Sequence, residues 1–184
     1  MDDRQEAPQV VLRRITAGDE EEFLALARAH VELHRPWVRS PTTPEEFHAL
    51  VARSDGTTCD VLLVCAREEG RPIVGQITVG DVVRGPFQSG TLSYAAFAPG
   101  RGYMFEGLGL TLRHAFGHLG LHRLEANIQP GNAPARRLVQ RHGFRKEGFS
   151  PDFLFVDGAW RDHERWAITS NMVNSTGPSV LDPN

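Results

Sequence analysis

Ala98-Pro99-Gly100-Arg101-Gly102-Tyr103-Met104-Phe105-Glu106-Gly107-Leu108 is the stretch whose reading decides the architecture. Before it, Leu92, Tyr94, Ala96 and Phe97 form a β-compatible run that stops at Pro99-Gly100. After it, Phe105, Leu108, Leu112, Ala115, Phe116 and Leu119 recur at helical spacing, and Gly120 closes the run. A strand therefore passes through a glycine turn straight into a helix. Glycines there let the backbone approach a ligand closely. The first amides of the helix lack internal partners and lie at the positive end of its dipole, which suits an anionic phosphate. A lone Gly-x-Gly is also what an ordinary turn looks like, so the motif alone decides nothing.

Outward from this turn, the pattern predicts β-α-α-β-β-β before it and, beyond the helix it opens, a strand, a helix and the closing strands. Val10 to Ile15 reads as a strand, with Val10, Leu12 and Arg14 on one face. Asp19 and Glu22 have capping-box spacing before the stripe Phe23, Leu26, Ala27, His30, Val31. His34-Arg35-Pro36-Trp37 breaks that helix. Thr43-Pro44-Glu45-Glu46 opens a second helix, with Thr43 as cap and Glu46 closing a box. Asp60 to Ala66 has the continuous apolar run of a buried strand, and Ile73 to Val83 is a long strand with Gly75 and Gly80 as bulge candidates. Arg123 to Ile128 is a strand, and Asn132 caps a helix with Pro134 in its first turn. Phe144–Phe149, Phe153–Val156 and Trp160–Ile168 read as three strands, the last two joined at Asp157-Gly158, with Phe153, Phe155 and Trp160 expected in the core. Antiparallel runs followed by a strand-helix-strand crossover give an α+β class: a mixed, mostly antiparallel twisted sheet with helices on both faces.

The 184 residues suit one domain, expected over 9–170, with a flexible arm at 1–8 and a disordered tail at 171–184. A formal charge of -3 gives no basic footprint for nucleic acid. No apolar run reaches the length of a membrane span, and the polar start Met1-Asp2-Asp3-Arg4 has no signal core. If Cys59 and Cys65 share a strand they lie roughly 20 Å apart, too far for a disulfide, and two free thiols favour the cytoplasm. His30 and His34 have i, i+4 spacing but no third ligand, so a packed or solvated pair is expected and no metal.

Taken in order, several segments carry a resemblance. Val82-Val83-Arg84-Gly85-Pro86-Phe87, the glycine turn, Leu121-His122-Arg123-Leu124-Glu125-Ala126-Asn127, Pro130-Gly131-Asn132, His142-Gly143-Phe144-Arg145-Lys146-Glu147-Gly148 and Asp157-Gly158-Ala159-Trp160-Arg161-Asp162-His163 follow one another at nearly the right spacing. The chain resembles the GCN5-related N-acetyltransferase (GNAT) superfamily, and within it the RimJ/RimL type of ribosomal-protein-alanine N-acetyltransferase.

The resemblance implies the GNAT fold and acetyl-CoA as co-substrate. It implies that the amides of Gly100, Arg101, Gly102, Tyr103 and Met104 cradle the pyrophosphate. Phe97 and Ala98 would hold the pantetheine and aim amides at the thioester, and Asn132 would touch the pantetheine side or serve as a plain cap. Three departures stand out. Phe97 fills a position usually Gln or Arg, in a link about two residues shorter than in relatives. Ala135 replaces a serine proposed to protonate the departing thiolate, and Gly107 replaces an alanine, at a helix cost of roughly 1 kcal/mol unless something packs close. Asp81, Glu125 and Glu106 are base candidates, Glu106 also suiting the helix dipole, and Trp37, Tyr94 and Asn127 are acceptor-pocket candidates. The acceptor is a protein N-terminus, such as that of a ribosomal protein, or a small amine. A degenerate acyl-CoA-binding module and a homodimer are the remaining open alternatives.

Overall fold

A computed structural model describes residues 9–173; the expected arm at 1–8 and most of the expected tail lie outside them. Of the tail, Ser170–Met172 form a 3-10 turn, and Val173 packs against the core rather than trailing away. The strands are β1 (Val10–Arg14), β2 (Asp60–Ala66), β3 (Ile73–Val83), β4 (Ser89–Ala96), β5 (Arg123–Ile128), β6 (Arg145–Val156) and β7 (Ala159–Thr169). The helices are α1 (Glu20–Ala29), α2 (Val31–His34), α3 (Pro44–Arg53), α4 (Tyr103–Arg113) and α5 (Ala133–Arg141). One seven-stranded sheet runs β1-β2-β3-β4-β5-β7-β6. Every pairing is antiparallel except β4 with β5, which are joined through α4.

Alternation along the strands makes two cores, one on each face. Leu12, Leu62, Val64, Ile77 and Leu124 face α4 and α5. Val11, Val61, Leu63 and Cys65 face α1 and α3, where Phe23 and Phe47 pack at 5.3 Å. β2 is therefore buried on both sides, which explains its apolar run from Val61 to Ala66. Cys59 and Cys65 are free and buried, Cys59 lying just before β2.

Several local expectations are corrected. The capping box before α1 is Thr16 with Asp19, not Asp19 with Glu22, because Arg13 fixes the Asp19 carboxylate with two hydrogen bonds. Glu46 accepts from the Thr42 amide, one residue before the Thr43 cap. The two strands expected over Phe144–Val156 are one strand, β6, with a register shift between Ser150 and Leu154. Phe155 and Trp160 are 63% and 61% exposed and Phe153 is 38% exposed. These rings leave the core because β6 is an edge strand and, among the described residues, no helix covers the hairpin tip. The tip is the left-handed Asp157-Gly158 turn, with φ of 50° and 76°.

α4 does not run regularly to Leu119. It widens into a π-helical turn at His114–His118, where the Leu119 amide donates to His114 O. His114 is fully buried and its Nε2 lies 2.7 Å from Asp60 Oδ2, while Arg14 Nε donates to Asp60 Oδ1 at 2.8 Å. Burial pushes the Asp60 carboxyl up, but hydrogen bonds from His114 and Arg14 outweigh it and hold the group below its ordinary value. Gly107 faces the same layer: a Cβ there would lie 2.9 Å from Val64 Cγ2, so the glycine is a close-packing residue between α4 and β2.

Replacing Gly107 with Ala is expected to lower stability by about 1–2 kcal/mol in urea unfolding, because overpacking against the stiff Val64 outweighs the helix-propensity gain. A stabilised variant would remove this account of Gly107. Asp60→Asn is expected to cost about 3 kcal/mol at pH 7, since it breaks a buried pair. A carboxyl held low in the folded state contributes stability above its unfolded pKa of about 3.9 and loses it as pH falls through the folded value. The gap between wild type and variant should therefore shrink below about pH 4; a gap independent of pH would sink the ionic reading.

Candidate active site

β4 and β5 pair only from Ser89↔Arg123 to Leu92↔Ala126, although β4 runs on to Ala96 and β5 to Ile128. Beyond those residues the two strands splay apart. Phe97 N–H donates to Val74 O at 2.9 Å, and the β3 register sets Ala96 opposite Gly75 and Tyr94 opposite Ile77. Antiparallel alternation then turns the main-chain groups of Tyr94 and Ala96 away from β3, into the splay.

A cleft of about 860 Å³ occupies this splay. Its walls include Tyr94, Ile128 and Ala135, which belong to the α4/α5 core, and Ala27 and Val38, which belong to the α1/α3 core. The cleft thus passes through the sheet. Residues 34–37 strap across it. His34 Nε2–H donates to Ala96 O at 3.0 Å, Pro36 O accepts from Gln129 Nε2 at 2.8 Å, and Trp37 lies against Gly131. Arg35 pairs with Asp157 of the β6–β7 tip at 2.9 Å, tying the strap to the hairpin. His34 is buried, stacks on His30 and packs on Phe97, as a packed pair. Burial, partly opposed by the Ala96 carbonyl, lowers its pKa, so it keeps a neutral ring against the strand near pH 7.

The glycine turn stands at the end of β4. Gly100 and Gly102 have φ of 85° and 78°, and a Cβ on either would meet nothing within 4 Å. Their conformation, not crowding, requires glycine. Among the described residues, the amides of Gly102, Tyr103 and Met104 have no hydrogen-bond acceptor, and Arg101 is exposed beside them. The Tyr103 hydroxyl donates to Glu68 and Met104 Sδ packs over Gly75, which pins the first turn of α4.

Phe97 and Ala98 do not offer amides to a ligand. Both N–H groups donate to Val74 O, and Phe97 is buried against Phe23 at 5.6 Å. Tyr94 and Ala96, just before them on the open edge, turn their main-chain groups into the splay. Glu125 lies outside the cleft and accepts from Arg123 Nε at 2.8 Å. Glu106 accepts from the Gln9 amide at 2.6 Å, a structural tie. Asp81, Trp37, Tyr94, Asn127 and Asn132 all line the cleft. Asp81 sits in the β3 bulge with φ of 48°, and its Oδ2 accepts from the Thr91 hydroxyl at 2.8 Å. Asn127 Oδ1 is buried without a partner among the described residues, and Asn132 Oδ1 caps α5 by accepting from Ala135 N at 3.2 Å. The strap and the main chain of Tyr94 and Ala96 escape sequence reading, because main-chain direction and a long-range contact such as His34 with Ala96 leave no local signature.

The charged side chains of the cleft are Arg35, Arg39 and Arg53 against Asp81 and Asp157, so carboxylates are not in surplus. Among the described residues no group of three His, Cys, Asp or Glu is arranged to hold a metal, and no helix is long and apolar enough to cross a membrane.

Known proteins share both the sequence and this geometry. The [ribosomal protein uS5]-alanine N-acetyltransferase of Escherichia coli K12 is 38% identical over 102 residues, which are 54% of this chain and 53% of that protein. The chain thus spans about half the length of the curated relatives it matches. The structure of Mycobacterium smegmatis RimJ in complex with CoA-disulfide superposes with a TM-score of 0.82 at 28% identity, covering 91% of this chain and 85% of that one. The Vibrio cholerae spermidine N-acetyltransferase in complex with CoA and spermine shares the fold, with a TM-score of 0.76 at 18% identity over 90% of this chain and 98% of its own. Residues 9–145 match the acetyltransferase (GNAT) domain, and the chain belongs to that family.

Proposed function

We propose that this protein transfers an acetyl group from acetyl-CoA to a primary amine, the acceptor being the N-terminal α-amine of a protein, in the manner of a ribosomal-protein-alanine N-acetyltransferase. The observation that carries the reading is the cleft that crosses the sheet at the β4–β5 splay, with the glycine turn beside it. One substrate can enter from each face.

Acetyl-CoA, when bound, supplies an acetyl group already activated as a thioester. The free amides of Gly102, Tyr103 and Met104, with Gly100 and Arg101 shaping the turn, suit its pyrophosphate. The main-chain groups of Tyr94 and Ala96 suit the pantetheine arm and a developing oxyanion, and Asn132 stands on the same side. Asp81 reaches the opposite mouth with one carboxylate oxygen on Thr91 and is the group we assign to the incoming ammonium. Trp37 and Asn127 line the acceptor path. An acceptor made on the ribosome places the reaction in the cytoplasm.

The acceptor class follows from charge and acidity. An α-amine, with pKa about 7.7–8.0, is roughly a quarter to a third free base at pH 7.5, and a lysine-type amine near 10.4 only about 0.1%. A cleft with Asp81 and no cluster of carboxylates suits the former. A polyamine acceptor, as in the V. cholerae relative, asks for several carboxylates, and here Asp157 is already neutralised by Arg35.

Thiol release from acetyl-CoA is expected with peptides that begin with free Ala or Ser, and not with the same peptides blocked or with spermidine. Release with small amines alone moves the acceptor to that class, and silence with CoA still bound defeats acetyl transfer to these acceptors. Asp81→Asn is expected to raise the peptide KM about tenfold or more while leaving CoA affinity in place. An unchanged KM removes Asp81 from the acceptor site.

A further inference from the structure

We propose that His163 is the proton acceptor for the attacking amine, its Nε2 lone pair standing in the cleft at the level of the reacting carbonyl. The inference rests on the acetyl-transfer reading above. His163 is 2% exposed and lines the cleft. Its Nδ1 lies 2.8 Å from Arg161 O. A carbonyl only accepts, so Nδ1 carries the proton and Nε2 keeps the lone pair. Among the described residues Nε2 has no partner, and it is not sealed from solvent. Phe153, at the β6 register shift, holds the ring edge-on at 6.1 Å.

Strand register places this ring. β5 pairs with β7 up to Ile128↔Glu164, and the next step along both strands sets His163 beside Gln129. Carried on by the same count, the parallel β4–β5 register sets Gln129 level with Ala95, between the main-chain groups of Tyr94 and Ala96 assigned to the oxyanion. Trp166 and Ile168 of β7 belong to the α4/α5 core, so alternation turns His163 to the opposite face, away from the glycine turn. Asn127 shares that face one diagonal step away, and its Oδ1 also lacks a partner among the described residues. Two uncommitted acceptors so close suit an N–H donor. Asp81 cannot take this part, because it stands level with Thr91, roughly 13 Å further back along the strands.

In the step itself, the amine nitrogen gives its pair to the thioester carbonyl carbon and becomes acidic as the N–C bond forms. One N–H proton passes to His163 Nε2, and the Nδ1–H bond to Arg161 O steadies the imidazolium. The C–S bond breaks with its pair left on sulfur, which takes a proton from water. His163 returns its own proton to water as the product leaves. An imidazole does not strip an ammonium of pKa near 10.4, so this group serves amines that arrive as free base.

His163→Gln and His163→Ala test this. Both are expected to lower kcat with an Ala-initiated peptide roughly 100-fold or more, the scale of general-base catalysis, while the Gln variant keeps its CoA affinity and melting temperature. Added imidazole should restore part of kcat to the Ala variant. Pyrrole, of the same shape but without a basic nitrogen, should not. A role in packing alone gives rescue by both or by neither, and either pattern overturns the assignment. Full kcat in the Gln variant overturns it too, whether or not the Ala variant folds. If wild type acetylates no acceptor while still binding CoA, the acetyl-transfer reading fails and this assignment with it. A working wild type beside a working Gln variant defeats the assignment alone.

Discussion

Opening a sheet in its middle is the constraint on which the rest of this structure depends. Main-chain N–H and C=O groups removed from water need partners, and a sheet that splits between β4 and β5 denies them the usual ones. The chain answers with side chains from distant segments. His34 covers the Ala96 carbonyl and Gln129 covers the Pro36 carbonyl, so the strap of residues 34–37 is held by groups from both sides of the split. What remains uncovered is the main chain of Tyr94 and the amide of Ala96, flanked by the Asn127 oxygen, which has no partner among the described residues. The ligand cleft is the part of the split that the protein does not seal for itself.

The turn works only if α4 is held where β4 delivers it. Gly107 lets the helix lie directly on Val64, and Met104 lies over Gly75, so two glycines on different elements set the distance between helix and sheet. At the far end, the π-helical turn lets His114 reach Asp60 while Leu119 still returns to the core. An alanine in place of Gly107 would favour the isolated helix and disfavour its seat. That conflict is why propensity alone makes the glycine look like a defect.

Residues whose role is set by their immediate neighbours are legible in the sequence. Gly100, Gly102, the Asn132 cap and the Asp157-Gly158 hairpin turn belong to this class, and together they give the element order and the place of the cleft. Residues whose role depends on which layer covers them are not. Phe155 and Trp160 have core-type chemistry but lie on a hairpin tip that no helix among the described residues reaches, and Phe97 fills a nominal ligand position while packing under α1. Glu125 shows the same limit for charge. Alternation puts it on the face that carries Asn127, yet Arg123, two residues away, holds it outside the cleft. The open main-chain edge is that of Tyr94 and Ala96 rather than Phe97 and Ala98, because the latter two amides close on Val74 O, and no residue-type pattern records that closure.

The weakness of the base apparatus is informative about the acceptor. Of the three carboxylates that sequence reading offers as a base, only Asp81 faces the cleft, and it stands at the mouth rather than in a dry pocket. His34 and His163, the buried imidazoles of the cleft, each commit a ring N–H to a main-chain carbonyl, that of Ala96 and that of Arg161, and burial holds His34 neutral. A site so equipped is poor at stripping a proton from an ammonium of pKa above 10, where the free base is rarer by a factor of several hundred than for an α-amine. It has no such difficulty with an α-amine, whose free form is abundant near neutrality. On the proposed reading, selectivity for a chain terminus over a lysine requires no pocket that rejects lysine; omitting a strong base is enough.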